Sequence, residues 1–282
     1  KSLSSFSNKK VFRGLTTGKN EAFIIDSNKR KELINKNLKN ADRIKVLATG
    51  KEVKRNTFNF QDNYLMFTGY DVNIPEEYPD IIEELDKFKE SLIKRGDKGK
   101  NYWNLRSCAY YEEMQKPKII YPRINSRGNF YFDEKGEIFL LDNNFFISTD
   151  SKPLLALLNS NLIFFYLKNI CTTLQGGFYD FRRDKMMTIP ISNNLVDNDS
   201  ELTILANKLI KLTSQKNSTE LSFQKYLQSQ FPIEKLSKKL QSWDELEFPE
   251  FIKELNKAIK KVGGEKLTKM DEMEWMDVFE TK

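Results

Sequence analysis

Short apolar runs separated by polar turns occupy the first two thirds of the chain and predict β-strands. These runs are rich in Ile, Val, Phe and Tyr, which favour a pleated and partly buried surface. The predicted strands are residues 21–26, 43–48, 63–68 and 117–124, together with 128–134 and 137–148 as the two arms of a hairpin. The pattern therefore indicates a domain that contains β-sheet.

Helical stripes of apolar residues lie between and after the predicted strands. Residues 28–40 predict a basic helix that carries Leu38 on its apolar face. A second helix is predicted over residues 79–95, because Pro79 suits a first turn and an apolar stripe follows it. Residues 153–168 predict a third, strongly apolar helix. Strands and helices are thus mixed in this part of the chain.

The pattern changes around Ser192. Residues 193–199 form a polar linker, and almost everything beyond them has a helical pattern. The predicted helices are residues 200–213, 219–230, 234–242, 249–262 and 271–280. We therefore expect an α+β fold, with a mixed or antiparallel β-sheet domain and packed helices over residues 1–192, followed by a helical C-terminal region over residues 193–282.

Composition narrows the class of protein. The 282 residues are 39% hydrophobic and 12% aromatic, which is enough for a packed core. The longest apolar stretch is interrupted by polar residues and stays short of a membrane span, so we expect no membrane partner. Two cysteines provide no disulfide framework and suit a reducing cytoplasm.

Histidine is absent from the sequence, and this excludes several kinds of catalytic site. No Ser-His or Cys-His pair and no imidazole base can form. We find no phosphate loop, dinucleotide fingerprint, zinc spacing or nucleophile elbow. A carboxylate magnesium site remains an alternative, with Asp133 and Glu137, or Asp142 near Asn143, as ligands of a nuclease.

Positive charge is concentrated at the N-terminal end of the chain. The whole sequence has 46 Lys and Arg against 40 Asp and Glu, whereas residues 1–60 have 15 against 5. A second basic feature lies in residues 174–191, LQGGFYDFRRDKMMTIPI, where two glycines and three aromatic residues precede Arg182 and Arg183. Glycine, aromatic residues and arginine together favour a loop that faces DNA.

Eight segments in a fixed order carry a resemblance to a known family. They are GLTTGKNEAFII (14–25), ATGKEVKR (48–55), YPDIIEELDKFKESLIKR (78–95), WNLR (103–106), KPKIIYPRI (116–124), NNFFIS (143–148), LLALLNS (154–160) and LQGGFYDFRRDKMMTIPI (174–191). Over about residues 10–192 the chain resembles the TaqI-like C-terminal specificity domain, the target-recognition region of adenine-specific DNA methyltransferases in restriction–modification systems. The helical tail is similar to the C-terminal extension of long Type IIG restriction–methylation proteins.

The resemblance implies double-stranded DNA as a partner and a catalytic domain elsewhere in the parent protein. In that family an upstream domain with an Asn-Pro-Pro-Tyr motif binds S-adenosylmethionine and transfers the methyl group. Neither that motif nor a glycine-rich cofactor site occurs in this sequence. We therefore expect this chain to bind DNA without a cofactor of its own and without catalysing methylation. Fusion of the parent to an endonuclease stays open.

The candidate DNA-binding residues are chosen by side-chain chemistry. Guanidinium groups suit guanine, an amide suits adenine, hydroxyl groups suit phosphate or the thymine methyl group, and lysines suit phosphate. The candidates are Arg13, Arg123, Arg127, Arg182 and Arg183 for guanine, Asn20 for adenine, Thr16 and Thr17 for phosphate or thymine, Tyr179 for stacking, and Lys9, Lys10, Arg13, Lys19, Lys51, Lys54 and Arg55 for phosphate.

Two further expectations concern the helical region. The leucine face at positions 202, 205, 209 and 212 and the apolar face at positions 251, 255, 259 and 262 need burial, and self-association is one way to cover them. An alternative interpretation is a subunit like the Type I specificity subunit, which recruits separate methylation subunits through its helices. That alternative calls for a second recognition domain and paired spacer helices, which the sequence does not show.

Overall fold

A computed structural model describes residues 1–8, 10–192 and 200–280. Lys9 and the linker predicted at residues 193–199 lie outside this part of the chain. Two compact units are present, Lys1–Ile210 and Lys211–Lys282. No helix among the described residues is both long enough and apolar enough to cross a membrane.

The strands all belong to the first unit. In chain order they are β1 (Val11–Arg13), β2 (Ile24–Ile25), β3 (Ile44–Ala48), β4 (Val53–Lys54), β5 (Thr57–Phe58), β6 (Tyr64–Met66), β7 (Lys118–Pro122), β8 (Ile124–Asn125), β9 (Tyr131–Asp133), β10 (Ile138–Leu140), β11 (Asn144–Ser148), β12 (Thr172–Leu174) and β13 (Phe178–Asp180). Within the described residues they form an antiparallel sheet β1-β11-β7-β9, a mixed sheet β10-β3-β6-β2, a three-stranded sheet β12-β13-β8 and a hairpin β4-β5.

The helices pack on these sheets or form the second unit. In chain order they are α1 (Leu3–Phe6), α2 (Asn20–Phe23), α3 (Ser27–Lys36), α4 (Ile74–Glu77), α5 (Pro79–Asp86), α6 (Lys89–Lys94), α7 (Tyr111–Met114), α8 (Lys152–Leu158), α9 (Asn161–Ile170), α10 (Arg183–Met186), α11 (Ser200–Gln230), α12 (Lys238–Gln241), α13 (Phe248–Lys261) and α14 (Lys269–Glu280). The α+β fold class is confirmed, with mixed and antiparallel sheets followed by a helical region.

Two apolar cores lie in the first unit. One joins the mixed sheet to α3 and α5 through residues such as Leu47, Leu65 and Leu85. The other joins the antiparallel sheet to α8 and α9 through residues such as Tyr121 and Leu167. The first residues of the chain also pair with residues 189–191. The backbone amide of Leu3 donates to the Ile189 carbonyl oxygen, and that of Ile191 donates to the Lys1 carbonyl oxygen.

The second unit has its own core. Leu227, Trp243, Phe251, Leu255 and Phe279 are buried together where the end of α11 meets α13 and α14. The apolar face predicted on the helix at residues 249–262 is therefore largely covered within this unit. The predicted helices 200–213 and 219–230 are instead one continuous helix, α11, because no glycine or proline interrupts residues 200–230.

The predicted hairpin between residues 128–134 and 137–148 is wrong. Strand β9 pairs with β7, and the second predicted arm is divided into two strands. Of these, β10 pairs in parallel with β3 in the mixed sheet, whereas β11 pairs with β1 and β7, so β9 pairs with neither. Asp133 causes this redirection, because its carboxylate accepts hydrogen bonds from the backbone amides of Gly136, at 3.1 Å, and Ile138, at 2.9 Å. The turn therefore folds around a side chain instead of closing a ladder.

Two predicted helices are each divided into two. Residues 79–95 form α5 and α6, with a break at Phe88. Residues 153–168 fall in α8 and α9, which are separated at Asn159 and Ser160. The Asn159 side chain accepts a hydrogen bond from the backbone amide of Phe130 and donates one to its carbonyl oxygen. The Ser160 hydroxyl caps the N-terminus of α9. These polar side chains compete with helix continuation.

Two N-terminal elements also differ from the prediction. Only Ile24–Ile25 of the strand predicted at residues 21–26 is extended, and the preceding residues form the helical turn α2. The helix predicted over residues 28–40 ends at Lys36, and Asn37 then caps a separate 3-10 helix. This change of direction leaves Leu38 80% exposed instead of on a buried face.

Candidate nucleic-acid interface

A tight turn at Leu141–Asn143 connects β10 to β11 and lies at the centre of the candidate interface. Strand β1 pairs with β11 and carries Arg13 to this turn. The Arg13 guanidinium donates from Nε to the Asp142 carbonyl oxygen at 2.8 Å and from Nη2 to Asp142 Oδ2 at 2.9 Å. Because the Arg13 side chain is still 52% exposed, part of its charge faces solvent.

Gly14 allows the next loop to approach the same turn. A Cβ atom at Gly14 would lie 2.1 Å from the Leu141 carbonyl oxygen, so a larger residue cannot occupy this position unchanged. The loop of residues 15–21 then lines a pocket of about 440 Å³ together with Leu141 and Asp142. This close approach places Thr16, Lys19 and Asn20 next to Arg13's partner, Asp142.

Within this loop, Thr17 has a positioning role. Its side chain is buried, and its hydroxyl donates to Asn20 Oδ1 at 2.5 Å. Its carbonyl oxygen accepts from the buried guanidinium of Arg95. Thr16 is partly exposed and Asn20 is exposed. The structure thus gives the adenine candidate Asn20 a fixed side-chain oxygen and places Thr17 beneath it.

The basic turn at residues 50–55 also reaches the central turn. The Asn143 side-chain amide donates to the Thr49 carbonyl oxygen. The buried carboxylate of Glu52 accepts from the Thr49 backbone amide and hydroxyl, each at 2.9 Å, and thereby fixes the turn. Lys51 is exposed beside this anchor. One basic turn is therefore held against the loop that already holds Arg13.

Asp180 holds two more of the candidate arginines. Arg123 donates from Nε to Asp180 Oδ1 at 2.8 Å and from Nη2 to Oδ2 at 2.9 Å. Arg182 donates from Nε to Oδ2 at 2.7 Å. The Asp180 side chain is only 5% exposed, whereas those of Arg123 and Arg182 are 34% and 61% exposed. The carboxylate is therefore covered by the guanidinium groups that it orients.

The ionisation of this group follows from its geometry. Hydrogen bonds from Arg123 hold the pKa of Asp180 below its usual value, and those from Arg182 act in the same direction. The hydrogen bond with Asp180 likewise raises the pKa of Arg123. Arg123 is also joined to the central turn, because its backbone amide donates to the Asn143 carbonyl oxygen at 2.9 Å. Both carboxylate sites thus belong to one surface.

Residues 174–191 form the next part of this surface. Gly176 and Gly177 both have positive φ angles, 74° and 76°, and make the turn between β12 and β13. Phe178 is 41% exposed, whereas Phe181 is fully buried in the core. The Tyr179 ring packs edge-to-face on Phe164, with the ring centroids 5.9 Å apart. The three aromatic residues therefore have three different environments.

Helix α10, which begins at Arg183, packs against β1, which ends at Arg13. Burial raises the pKa of Tyr110, and the positive charges of both arginines oppose that rise. The Tyr110 ring in turn stacks on Phe12, with the ring centroids 4.8 Å apart. Arg183 therefore joins the same basic surface from a fourth chain segment.

The remaining candidates lie near the loop that precedes Phe130. Lys54 and Arg55 are exposed on the β4-β5 hairpin, and the Asn56 backbone amide donates to the Phe130 carbonyl oxygen at 2.9 Å. Arg127 is exposed in the loop that leads to Phe130. Lys10 instead faces Glu113, at 3.9 Å. The structure therefore joins most, but not all, of the predicted candidates on one surface.

Three organising residues had no predicted role in binding. Asp142, Asn143 and Asp180 hold the candidate arginines and loops, and only the first two were considered, as nuclease ligands. The sequence alone gives little indication of this role, because an aspartate in a loop is more often a turn former than a partner of an arginine. The pattern Phe-Tyr-Asp before Arg182 does contain Asp180, but its main partner, Arg123, is 57 residues away.

Asp133, the main residue of the nuclease alternative, has a structural role. Its carboxylate receives the ammonium group of Lys118 at 2.5 Å, and the Lys118 side chain is fully buried. Burial lowers the pKa of Lys118, whereas the charge of Asp133 raises it. Among the described residues, no group of three or more His, Cys, Asp or Glu side chains is placed to hold a metal ion.

Comparison with known proteins agrees with this architecture. An α+β core that presents basic loops from several chain segments suits a recognition domain. The chain belongs to the family of the TaqI-like C-terminal specificity domain, whose profile matches residues 45–191. The resemblance inferred from the order of eight motifs is thereby confirmed. Residues 196–282 match a domain of unknown function, DUF8810.

Two solved structures of restriction–modification enzymes show a weak likeness to this chain. The Type IIL enzyme MmeI, solved in complex with DNA, is 13% identical with a TM-score of 0.49, covering 96% of this chain and 35% of that chain. The Type IIG restriction endonuclease BpuSI is 14% identical with a TM-score of 0.46, covering 75% of this chain and 26% of that chain. This chain thus corresponds to about a third or less of either protein. No curated protein matches the sequence.

Proposed function

We propose that this protein recognises a specific sequence in double-stranded DNA, as the specificity part of an N6-adenine DNA methyltransferase of a restriction–modification system. The observation that carries the proposal is the arrangement around Asp180, where one buried carboxylate orients two partly exposed arginines. Membership of the specificity-domain family supports the same role.

Arg123 is the residue best suited to reading a base. Asp180 receives the Nε and Nη2 edge of its guanidinium, which leaves the Nη1 and Nη2 edge outside this pair. That second edge has the two donors that match the O6 and N7 acceptors of guanine. Because the planar group is already held in one orientation, little further ordering is required when it meets a base edge.

The surrounding basic residues suit the phosphate backbone. Lys19 lies in the loop that lines the pocket beside Asp142, and Lys51 lies in the turn that is anchored to Asn143 through Thr49. Lys54 and Arg55 are exposed on the β4-β5 hairpin. Contacts to phosphate position a protein on the duplex without reading its sequence. Each such contact contributes a slope of roughly one unit of log affinity per unit of log salt concentration.

Methyl transfer, in this proposal, takes place in a separate upstream domain that binds S-adenosylmethionine. The present residues select the site at which that domain acts, and the upstream domain is a partner of this chain. The carboxylates considered for metal binding instead serve structure, since Asp133 is paired with Lys118 and Asp142 with Arg13. This assignment favours recognition over catalysis for the residues described.

Selection from a random duplex library tests the proposal with the full 282-residue chain. We expect enrichment of one short motif, followed by weaker binding when Arg182→Ala and Arg183→Ala are combined. Lys36→Ala combined with Lys39→Ala is the matched charge control, because these lysines pair with Glu83 and Glu77 outside the converging loops. Binding without any sequence preference would overturn the proposal. Binding and a selected motif that are unchanged by the arginine substitutions, or a control that weakens binding equally, would also overturn it.

A further inference from the structure

One face of the β12-β13-β8 sheet combines apolar side chains with the arginine cluster. Leu174 pairs with Phe178, and Asp180 pairs with both Thr172 and Ile124, so these residues share one face. The opposite face carries Tyr179, which packs on Phe164 and so faces the core. We call the first face the Phe178 face, and define it by Ile124, Leu174, Phe178 and Asp180.

The apolar residues of the Phe178 face remain accessible. Phe178 is 41% exposed and Ile124 is 44% exposed, whereas Asp180 on the same face is only 4% exposed. The difference arises because Arg123 and Arg182 cover the carboxylate but leave the two hydrocarbon side chains open. Two exposed apolar side chains and an arginine-covered carboxylate thus share one face of the sheet.

The turn at the end of the sheet presents the Phe178 ring. A Cβ atom at Gly176 would lie 3.4 Å from that ring, so the ring rests on the backbone of the turn. Both glycines of the turn have positive φ angles, which other residues adopt at a cost. The aromatic ring therefore lies against the main chain of the turn, at the first residue of β13.

We infer that Phe178 acts as a wedge that enters between two adjacent base pairs of duplex DNA and unstacks them. The inference rests on the proposed DNA recognition and adds a deformation of the duplex to it. Charge complementarity identifies DNA as the occupant of this face, because Arg123 and Arg182 both lie against Asp180 and together exceed its single negative charge. Apolar side chains inserted at base steps kink DNA, and flanking arginines neutralise the phosphates brought closer by the kink.

Fluorescence of 2-aminopurine tests the wedge directly, since unstacking increases its emission. The analogue is placed at each position of the selected site, and the full-length protein is titrated into each duplex. We expect a rise at one step for the wild-type protein, and loss of that rise with Phe178→Ala. Affinity should fall by roughly 5- to 150-fold, the range for losing one aromatic contact with a base.

Two variants and a folding control make the outcome decisive. Phe178→Leu should retain most of the fluorescence rise, because leucine also serves as a wedge. Phe165→Ala should leave fluorescence and affinity unchanged, since Phe165 is 68% exposed on α9. Circular dichroism confirms that each variant is folded.

The possible results separate the wedge from the proposed recognition. Sequence-specific binding by Phe178→Ala with an undiminished rise, or with wild-type affinity, would overturn the wedge and leave recognition standing. Loss of the rise in the Phe165→Ala variant as well would also overturn it. Absence of sequence-specific binding by the wild-type protein would overturn both proposals.

Discussion

Asp180→Asn is the substitution that best tests how the interface is organised. Asparagine preserves the size of the side chain but removes its negative charge and one of its two acceptor oxygens. Three hydrogen bonds from Arg123 and Arg182 converge on the carboxylate, at 2.7 to 2.9 Å. The amide group of asparagine would place its own donors against the guanidinium donors, so at least one arginine must turn away.

The expected loss of stability follows from these contacts. A hydrogen bond to a charged group contributes about 1.5–3 kcal/mol. This value must be discounted, because Arg182 is 61% exposed and Arg123 is 34% exposed, and both regain water when released. We therefore expect the free energy of unfolding to fall by about 2 kcal/mol in total, which lowers Tm by roughly 4–8 °C for a unit of this size.

Thermal unfolding measured by circular dichroism gives the first assay, with Asp142→Asn as the matched control. Asp142 holds a single arginine, Arg13, and their side chains are 41% and 52% exposed. An exposed pair of this kind contributes only about 0–1 kcal/mol. Equal melting temperatures for Asp180→Asn and the wild-type protein would refute the proposed role of Asp180 in holding the two arginines.

DNA binding gives the second assay, and it separates positioning from folding. Because Asp180→Asn removes a negative charge, binding to random duplex should be unchanged or stronger. Preference for the selected motif should fall by roughly 5- to 150-fold, the discrimination of one bidentate arginine contact. A variant that loses both kinds of binding equally would contradict this reasoning, because general unfolding would then explain the result.

Three other substitutions or conditions test the structure. The stabilisation by Asp180 is complete above the ordinary aspartate pKa of about 3.9, and it is lost as pH falls through the lowered pKa of the folded state. The free energy of unfolding, measured with urea, should therefore depend less on pH below about pH 4 in Asp180→Asn than in the wild-type protein. Lys118→Met leaves the Asp133 carboxylate buried without its ion partner and should cost about 3–5 kcal/mol by urea denaturation, whereas a loss under 1 kcal/mol would contradict that pairing. Gly14→Ala would overlap the Leu141 carbonyl oxygen and should destabilise the protein by about 1–3 kcal/mol in thermal melts, and wild-type stability would disprove the close approach.

Local apolar patterns predicted several elements of the fold correctly. The runs around Leu47, Leu65 and Ile120 form strands, and the stripe at Phe251 and Leu255 lies on a helix. In each case the local sequence and the buried face agree. These segments required no information about which distant part of the chain would pack against them.

Pairing between distant strands was not predictable in the same way. Strand β10 aligns Ile138 with Val46, and the predicted hairpin failed because nothing in residues 128–148 specifies that partner. The redirection depends on Asp133, which binds the backbone ahead of it and also Lys118. One buried polar side chain thus directs the next strand away from a hairpin, and the apolar pattern contains no information about such a contact.

For the candidate site, too, the types of side chain could be predicted from the sequence, but their arrangement in space could not. Side-chain type alone selected Arg123, Arg182 and Arg183 as candidates, but it could not distinguish an arginine that is held by a partner from one that is exposed. Alternation within β13 separates Phe178 and Asp180 from Tyr179, yet it does not say which of the two faces is covered. That choice is made by the packing of Phe164, which the sequence places in a different element.

Because two arginines share one carboxylate, their side chains are held to different degrees. Arg123 contributes two of the three hydrogen bonds and is less exposed, so its orientation does not depend on Arg182. Arg182, with one bond and greater exposure, can leave at smaller cost. Asp180 itself remains paired in either case, which avoids an isolated buried charge. A fixed arginine suited to reading a base and a movable arginine suited to reaching the backbone therefore follow from a single aspartate on the Phe178 face.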